Sequence, residues 1–140
     1  MNELLEKALR IAVEAHAGQV DKAGKPYIFH PLRVCCRCFT DEEKIVALLH
    51  DTIEDTEITT EDLLSEGFPR NIVDAVLSVS RGEDESYEDF VKRTSLNPLG
   101  RAVKLHDLED NMDISRLDQV TEKDLGRLNK YIKAYRHLKG

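Results

Sequence analysis

Apolar positions recur along this chain at helical spacing almost throughout. Leu4, Ala8, Ile11 and Ala15, with Leu5 and Ala12 alongside, follow an i, i+4, i+7, i+11 stripe and predict a helix over 3–17, ended near Gly18. GKPYIFHP breaks the pattern, and Pro31 is expected as the first residue of a second helix reaching Cys38. Thr40 with Glu43 has the spacing of a capping box and predicts a third helix over 41–50. The stretch 60–66, closed by Gly67, reads as a short helix, and Pro69 opens another with Ile72, Val73, Val76 and Val79 on one side. RGEDES reads as a solvated link. Ser86 can cap a helix to about Arg93, and Asn97-Pro98 can start one running to about Met112. A last helix is expected over 121–138, with Leu125, Leu128, Ile132 and Tyr135 facing inward. No segment alternates with period two, and no repeat is visible. The fold class expected is all-α, with residues 1–140 forming a single domain.

Composition narrows the classes of function. Hydrophobic residues make up 41% and charged residues 34%, in the range of an ordinary soluble protein. A net charge of −7 argues against a general nucleic-acid surface, which needs a basic field. No apolar run approaches the roughly 20 residues that span a bilayer. The first residues, MNELLEKALRIAVEAH, lack signal-peptide architecture, so a cytoplasmic location is the default expectation. Cys35, Cys36 and Cys38 crowd into CCRC, a poor disulfide framework, and are expected as small apolar helix residues.

The candidate chemistry begins in ALLHDTIEDT, residues 47–56, where three apolar residues run into His50, Asp51, Glu54 and Asp55. On one continuous helix His50 and Glu54 share a face, and Asp51 and Asp55 share the adjoining strip. His50 and Asp51 could then reach one metal ion, with Glu54 and Asp55 just beyond it. The alternative is a solvated acidic helix end, which the macrodipole disfavours. Two further stretches bear on the choice. AHAGQVDKAGKPYIFHPLRV, residues 15–34, sets His30 at a helix start after a Gly/Pro-rich loop; AVKLHDLEDNMD, residues 102–113, sets Lys104, Asp107 and Asn111 on one helical face.

Together the three stretches resemble the HD-domain metal-dependent phosphohydrolases, and among them the (p)ppGpp hydrolase domain of the RelA/SpoT type. That family's signatures, H-x-G-Q…G-x-P-Y-x-x-H-P, L-H-D-x-x-E-D-T and V-K-L-x-D-x-x-x-N-M, occur here in order, and the likeness spans about residues 4–138. The resemblance implies an HD helical bundle with His30, His50, Asp51 and Asp107 as metal ligands and Mn²⁺ as the ion, other divalent transition metals being chemically suitable. It implies Glu54 and Asp55 as catalytic carboxylates that orient the attacking water and manage its proton. Lys22, Lys104, Asn111, Arg127 and Tyr131 are the implied substrate contacts. Lys25, Lys92, Arg93 and Arg101 are further cations available to a phosphorylated ligand.

The expected activity is a stand-alone Mn²⁺-dependent hydrolase releasing pyrophosphate from the 3′ position of (p)ppGpp, with no room for a synthetase or regulatory domain. Its partner would be a small-molecule nucleotide, not nucleic acid or membrane. Some positions depart from the family pattern. Asp21 stands where an arginine usually packs on guanine, Lys25 replaces a usual glutamate, His106 replaces a small residue, and D-R-x-x-N becomes D-L-E-D-N, gaining Glu109 and Asp110. These departures keep two alternatives open: an HD nucleotidase or phosphatase acting on another nucleotide or phosphorylated metabolite, and a non-catalytic nucleotide-sensing module. The sequence leaves oligomeric state open.

Overall fold

The computed structural model describes residues 1–140 and is helical from end to end: α1 (Asn2–Ala15), α2 (Phe29–Arg37), α3 (Asp41–Leu49), α4 (Thr52–Asp55), α5 (Thr60–Ser65), α6 (Arg70–Ser78), α7 (Tyr87–Ser95), α8 (Pro98–Asn111) and α9 (Glu122–Lys139), with a 3₁₀ turn over Ile114–Arg116. Side chains set most of the helix starts. Thr40 with Glu43, Thr59 with Asp62 and Thr121 with Asp124 form both arms of a capping box, satisfying amides that have no partner within the helix. Ser86 and Asn97 accept from the amides of Asp89 and Gly100, and Pro98 fills the first position of α8. Each such cap contributes about 1 kcal/mol.

Two boundaries differ from expectation for local reasons. Helix α2 begins at Phe29, so Pro31 is its third residue, still within the first turn where a missing N–H costs no hydrogen bond. Helix α3 ends at Leu49, within one residue of the expected 50, but His50 and Glu54 do not lie on one continuous helix, contrary to the expectation from their spacing. His50 Nδ1 donates to the carbonyl of Ala47 at 2.6 Å and the Thr52 hydroxyl donates to Leu49 at 2.8 Å, so side chains satisfy the last carbonyls while the chain turns at Asp51 into the separate α4.

Helix α3 is the hub. Ile45, Val46, Ala47, Leu48 and Leu49 are all buried, which requires apolar neighbours on every side. Helices α1, α2, α6 and α8 supply them, and Ala8, Ala12, Val34, Cys38, Leu63, Phe68, Ile72, Val73, Ala75, Val76, Val79 and Val103 complete the main core. A smaller cluster of Val91, Leu108, Ala134 and Leu138 joins α7, α8 and α9. Because α9 rests mainly on those two helices, its buried stripe is narrow: Ala134 and Leu138 form it, with Tyr131 and Tyr135 half-buried. Leu125 and Ile132, expected to face inward, are 53% and 43% exposed.

Helix α8 crosses α6 closely enough that a Cβ on Gly100 would stand 1.9 Å from Ser78 Oγ, so any larger residue there forces Ser78 to move. Arg93 hydrogen-bonds Glu85 and the carbonyls of Leu77 and Ser80, and Arg101 donates to the carbonyl of Leu138. These two cations are therefore structural staples. All three cysteines are free. Cys38 is buried and its thiol is pushed up to about 12 by burial, whereas Cys36 faces solvent rather than packing as a small apolar residue.

Candidate metal centre and substrate cavity

Three helices deliver one cluster. His30 comes from the first turn of α2, His50 and Asp51 from the turn after α3, and Asp107 from the middle of α8. His30 Nε2 lies 2.9 Å from Asp107 Oδ1 and 3.7 Å from Asp51 Oδ2; His50 Nε2 lies 3.0 Å from Asp51 Oδ2 and 3.4 Å from Asp107 Oδ1. Ligand atoms of His30, His50 and Asp107 all fall within 4.8 Å of one another, and all three residues are buried. Asp51 stands at the rim and accepts the Tyr27 hydroxyl.

The arrangement passes a simple test for a bound cation. His50 Nε2 is buried and makes no hydrogen bond of acceptable geometry, although two carboxylates stand close to it. Its Nδ1 donates to Ala47, which leaves the Nε2 lone pair free to act as a ligand. His30, His50 and Asp107, with Asp51 beside His50, could supply a mixed N/O donor set for a divalent ion. The electrostatics agree. Burial opposes charge on His50, but Asp51 and Asp107 outweigh it and hold its pKa well above the ordinary value. Burial likewise opposes charge on Asp51 and Asp107; His50 brings Asp51 down to about 2, and Lys104 with His50 hold Asp107 well below the carboxylate range. The carboxylates are thus kept ionised, and protons compete with a cation for the same imidazole lone pairs.

The other candidate residues divide into two groups. Glu54 is exposed on α4, and its Oε1 accepts from the Arg81 amide at 2.7 Å. Asp55 is also on α4, and burial followed by the charges of Asp51 and Glu54 raises it to about 6. Lys104 is buried and its Nζ donates to Asp107 Oδ2 at 2.7 Å, so it braces the cluster and does not line the open cavity. Asn111 Nδ2 donates to Asp107 Oδ1 at 3.1 Å and also borders a cavity of about 470 Å³ beside His30. Lys22, Arg127 and Tyr131 line the same cavity.

Comparison with known proteins places this geometry. No protein-family model matches the chain. It is 34% identical over 122 residues, 79% of its length, to a guanosine-3′,5′-bis(diphosphate) 3′-pyrophosphohydrolase of Aquifex aeolicus. It is 37% identical over 89 residues, 61% of its length, to the bifunctional (p)ppGpp synthase/hydrolase SpoT of Escherichia coli. The chain belongs to the HD-type RelA/SpoT hydrolase domains. It spans 17% and 12% of the length of those two relatives. A solved metazoan ortholog of SpoT, described as hydrolysing ppGpp, shares the fold at a TM-score of 0.79 and 21% identity, over 98% of this chain and 86% of that one.

Within this HD domain, four contributors to the site carried no assigned role at the sequence level. Tyr27 donates to Asp51; Asp110 accepts from His30 Nδ1 at 2.7 Å; Arg33 and Arg116 line the cavity. Tyr27 sits in the G-x-P-Y-x-x-H-P stretch, three residues before His30, and that one-turn spacing was the available signal. No helix is long and apolar enough to cross a membrane.

Proposed function

We propose that residues 1–140 act as one Mn²⁺-dependent HD domain that hydrolyses (p)ppGpp, releasing pyrophosphate from the 3′ position, in the cytoplasm. The observation that carries this reading is the convergence of His30, His50, Asp51 and Asp107, with a partnerless His50 Nε2, beside a cavity bordered by cationic side chains. When bound, a divalent ion would supply Lewis acidity, making water a better nucleophile near neutral pH and offsetting phosphate charge. The chain's own groups do the rest.

Asp55, raised to about 6, sits where a carboxyl can take and return a proton near neutrality. Glu54 has one oxygen anchored on the Arg81 amide, and its other oxygen is the group assigned to orient the attacking water. Lys104 holds Asp107 in place as a ligand. Lys22 and Arg127 offset phosphate charge, while Asn111 and Tyr131 provide an amide and a hydroxyl for the nucleoside. In balance, water adds to the phosphorus next to the ribose, its bond to O3′ breaks, and O3′ receives a proton.

One observation favours a second reading of the substrate. Asp21 Oδ1 accepts from the amides of Ala23 and Lys25, both at 2.9 Å, so this side chain closes its own loop and offers no cation to a guanine ring. The second reading is an HD hydrolase acting on a different phosphorylated nucleotide. Incubation with Mn²⁺ and a nucleotide panel separates the two: GDP and pyrophosphate formed from ppGpp at the highest kcat/KM support the first. Asp107→Ala should abolish Mn²⁺ binding and turnover, and Glu54→Gln should keep the metal while losing turnover by about 100-fold or more. Tight ppGpp binding with no product in excess Mn²⁺ overturns the enzymatic reading.

A further inference from the structure

Asp110 is a fully buried carboxylate outside the expected ligand set, and it stands where this chain departs from its family pattern. A carboxylate shut away from water is retained only where charged or hydrogen-bonding partners compensate it. Asp110 has three. Its Oδ2 lies 2.7 Å from His30 Nδ1, and its Oδ1 accepts from Arg33 Nε at 2.8 Å. Arg116 Nη1 is 3.6 Å from the same Oδ1, and Arg116 Nη2 donates to the Asp110 carbonyl at 3.3 Å.

Each contact has a direction. An ionised carboxylate can only accept, so His30 Nδ1 must carry the proton. Nε2, 2.9 Å from Asp107 Oδ1, carries a proton by the same rule while no cation is bound; an ion held by Asp51, His50 and Asp107 would displace that proton, and Asp110 would keep the one on Nδ1. Arg33 spends only Nε on the protein, so its two terminal nitrogens remain available. Both Arg33 and Arg116 border the 470 Å³ cavity, about a third exposed.

We propose that Asp110 is a positioning residue serving both halves of the site: Oδ2 fixes the tautomer and tilt of the His30 ligand, while Oδ1 seats Arg33 and Arg116 as a cationic wall that meets substrate phosphate. This inference rests on the metal-dependent hydrolase reading and deepens it. Metal-ligating histidines oriented by a carboxylate lose about 10- to 100-fold in metal affinity without it. The cavity arginines would lose their fixed geometry at the same time, so one substitution reaches both metal and substrate.

The test uses the full chain. Mn²⁺ titration by calorimetry should give one site in the wild type, and Asp110→Asn should weaken it about 10-fold or more. Arg33→Gln should leave Mn²⁺ affinity within about twofold and raise KM about 10-fold, the loss of one charge-assisted contact. In the wild type loaded with diamagnetic Zn²⁺, side-chain ¹⁵N spectra should show His30 protonated at Nδ1, with a slowly exchanging proton. That measurement needs no variant, so it decides even if Asp110→Asn does not fold. Unchanged Mn²⁺ affinity in a folded Asp110→Asn protein, or His30 protonated at Nε2 in the wild type, overturns the proposal. Absence of any stoichiometric Mn²⁺ site in the wild type overturns the metal reading itself, and the inference with it.

Discussion

The apolar cluster beneath His50 and the one beneath Tyr131 differ in size and in what they carry. The first gathers 17 buried residues from six helices and the segments that join them, and includes the five consecutive core residues of α3 that lead directly into His50. The second has four buried residues and supports α9, from which Arg127 and Tyr131 face the cavity. Metal ligands must be held within fractions of an ångström, so a close-packed hub suits them. A wall that admits a nucleotide can rest on less, because regions with few buried contacts open at lower free energy. Helix α8 bridges the two, with Val103 in the large cluster and Leu108 in the small one.

The largest expected effect comes from cutting into the hub. Leu49→Ala removes a fully buried side chain adjacent to His50 and should cost about 3–5 kcal/mol in urea unfolding. Mn²⁺ affinity should fall with it, because the cavity left behind loosens the His50 ligand. Leu138→Ala in the small cluster should cost about 2–3 kcal/mol, leave Mn²⁺ affinity unchanged and raise KM. Native-state hydrogen exchange sharpens the contrast: α9 amides should open at lower free energy than α3 amides. Exchange of both helices as a single unit would erase the distinction between the clusters.

A smaller effect is expected at the bridge. Gly100→Ala forces a Cβ to within 1.9 Å of Ser78 Oγ and should cost about 1–3 kcal/mol by pushing α8 off α6. Ser78→Ala in the same chain should recover only part of that, since Ser78 Cβ would still be at 3.2 Å. Full recovery, measured by thermal midpoint, would show that the helices are not held as closely as the geometry requires.

What could be read from the sequence follows from the range of the forces involved. Capping at Thr40, Ser86 and Asn97 depends on residues three apart, so it was visible in the linear order. The side of α6 that packs inward was visible too, because polar Asn71 and Asp74 mark the exposed side and Ile72, Val73 and Val76 the buried one. The end of α3 was legible to within one residue, but the turn at Asp51 that separates His50 from α4 was not, since it depends on Thr52 and His50 bonding backward. Leu125 and Ile132 were misplaced for a related reason: a stripe on α9 reveals an inward face only if a partner covers it, and α7 and α8 leave these two exposed. At the site, the candidate ligands were legible as motifs carried by family likeness. Asp110 was legible only as a departure, because its partner His30 lies 80 residues away.

The smallest effect concerns the strap between the two clusters. Arg93 of α7 grips Glu85 with Nε at 2.8 Å and Nη2 at 2.9 Å, and the same guanidinium caps the carbonyls of Leu77 and Ser80 at the end of α6. Arg93 and the Gly82 amide hold the Glu85 carboxyl at about 2, below its ordinary 4.5. A carboxyl depressed on folding stabilises the native state above its unfolded pKa and loses that contribution as pH falls. The window here is therefore from about 4.5 down to about 2. The pair is accessible to solvent, so screening limits its contribution to below about 1 kcal/mol. Wild type should exceed Glu85→Gln in urea midpoint at pH 7, and the two should converge toward pH 2. A gap that persists undiminished at the acid end would mean that Glu85 acts through its shape and neutral hydrogen bonds, and that charge contributes nothing to joining the hub to the wall.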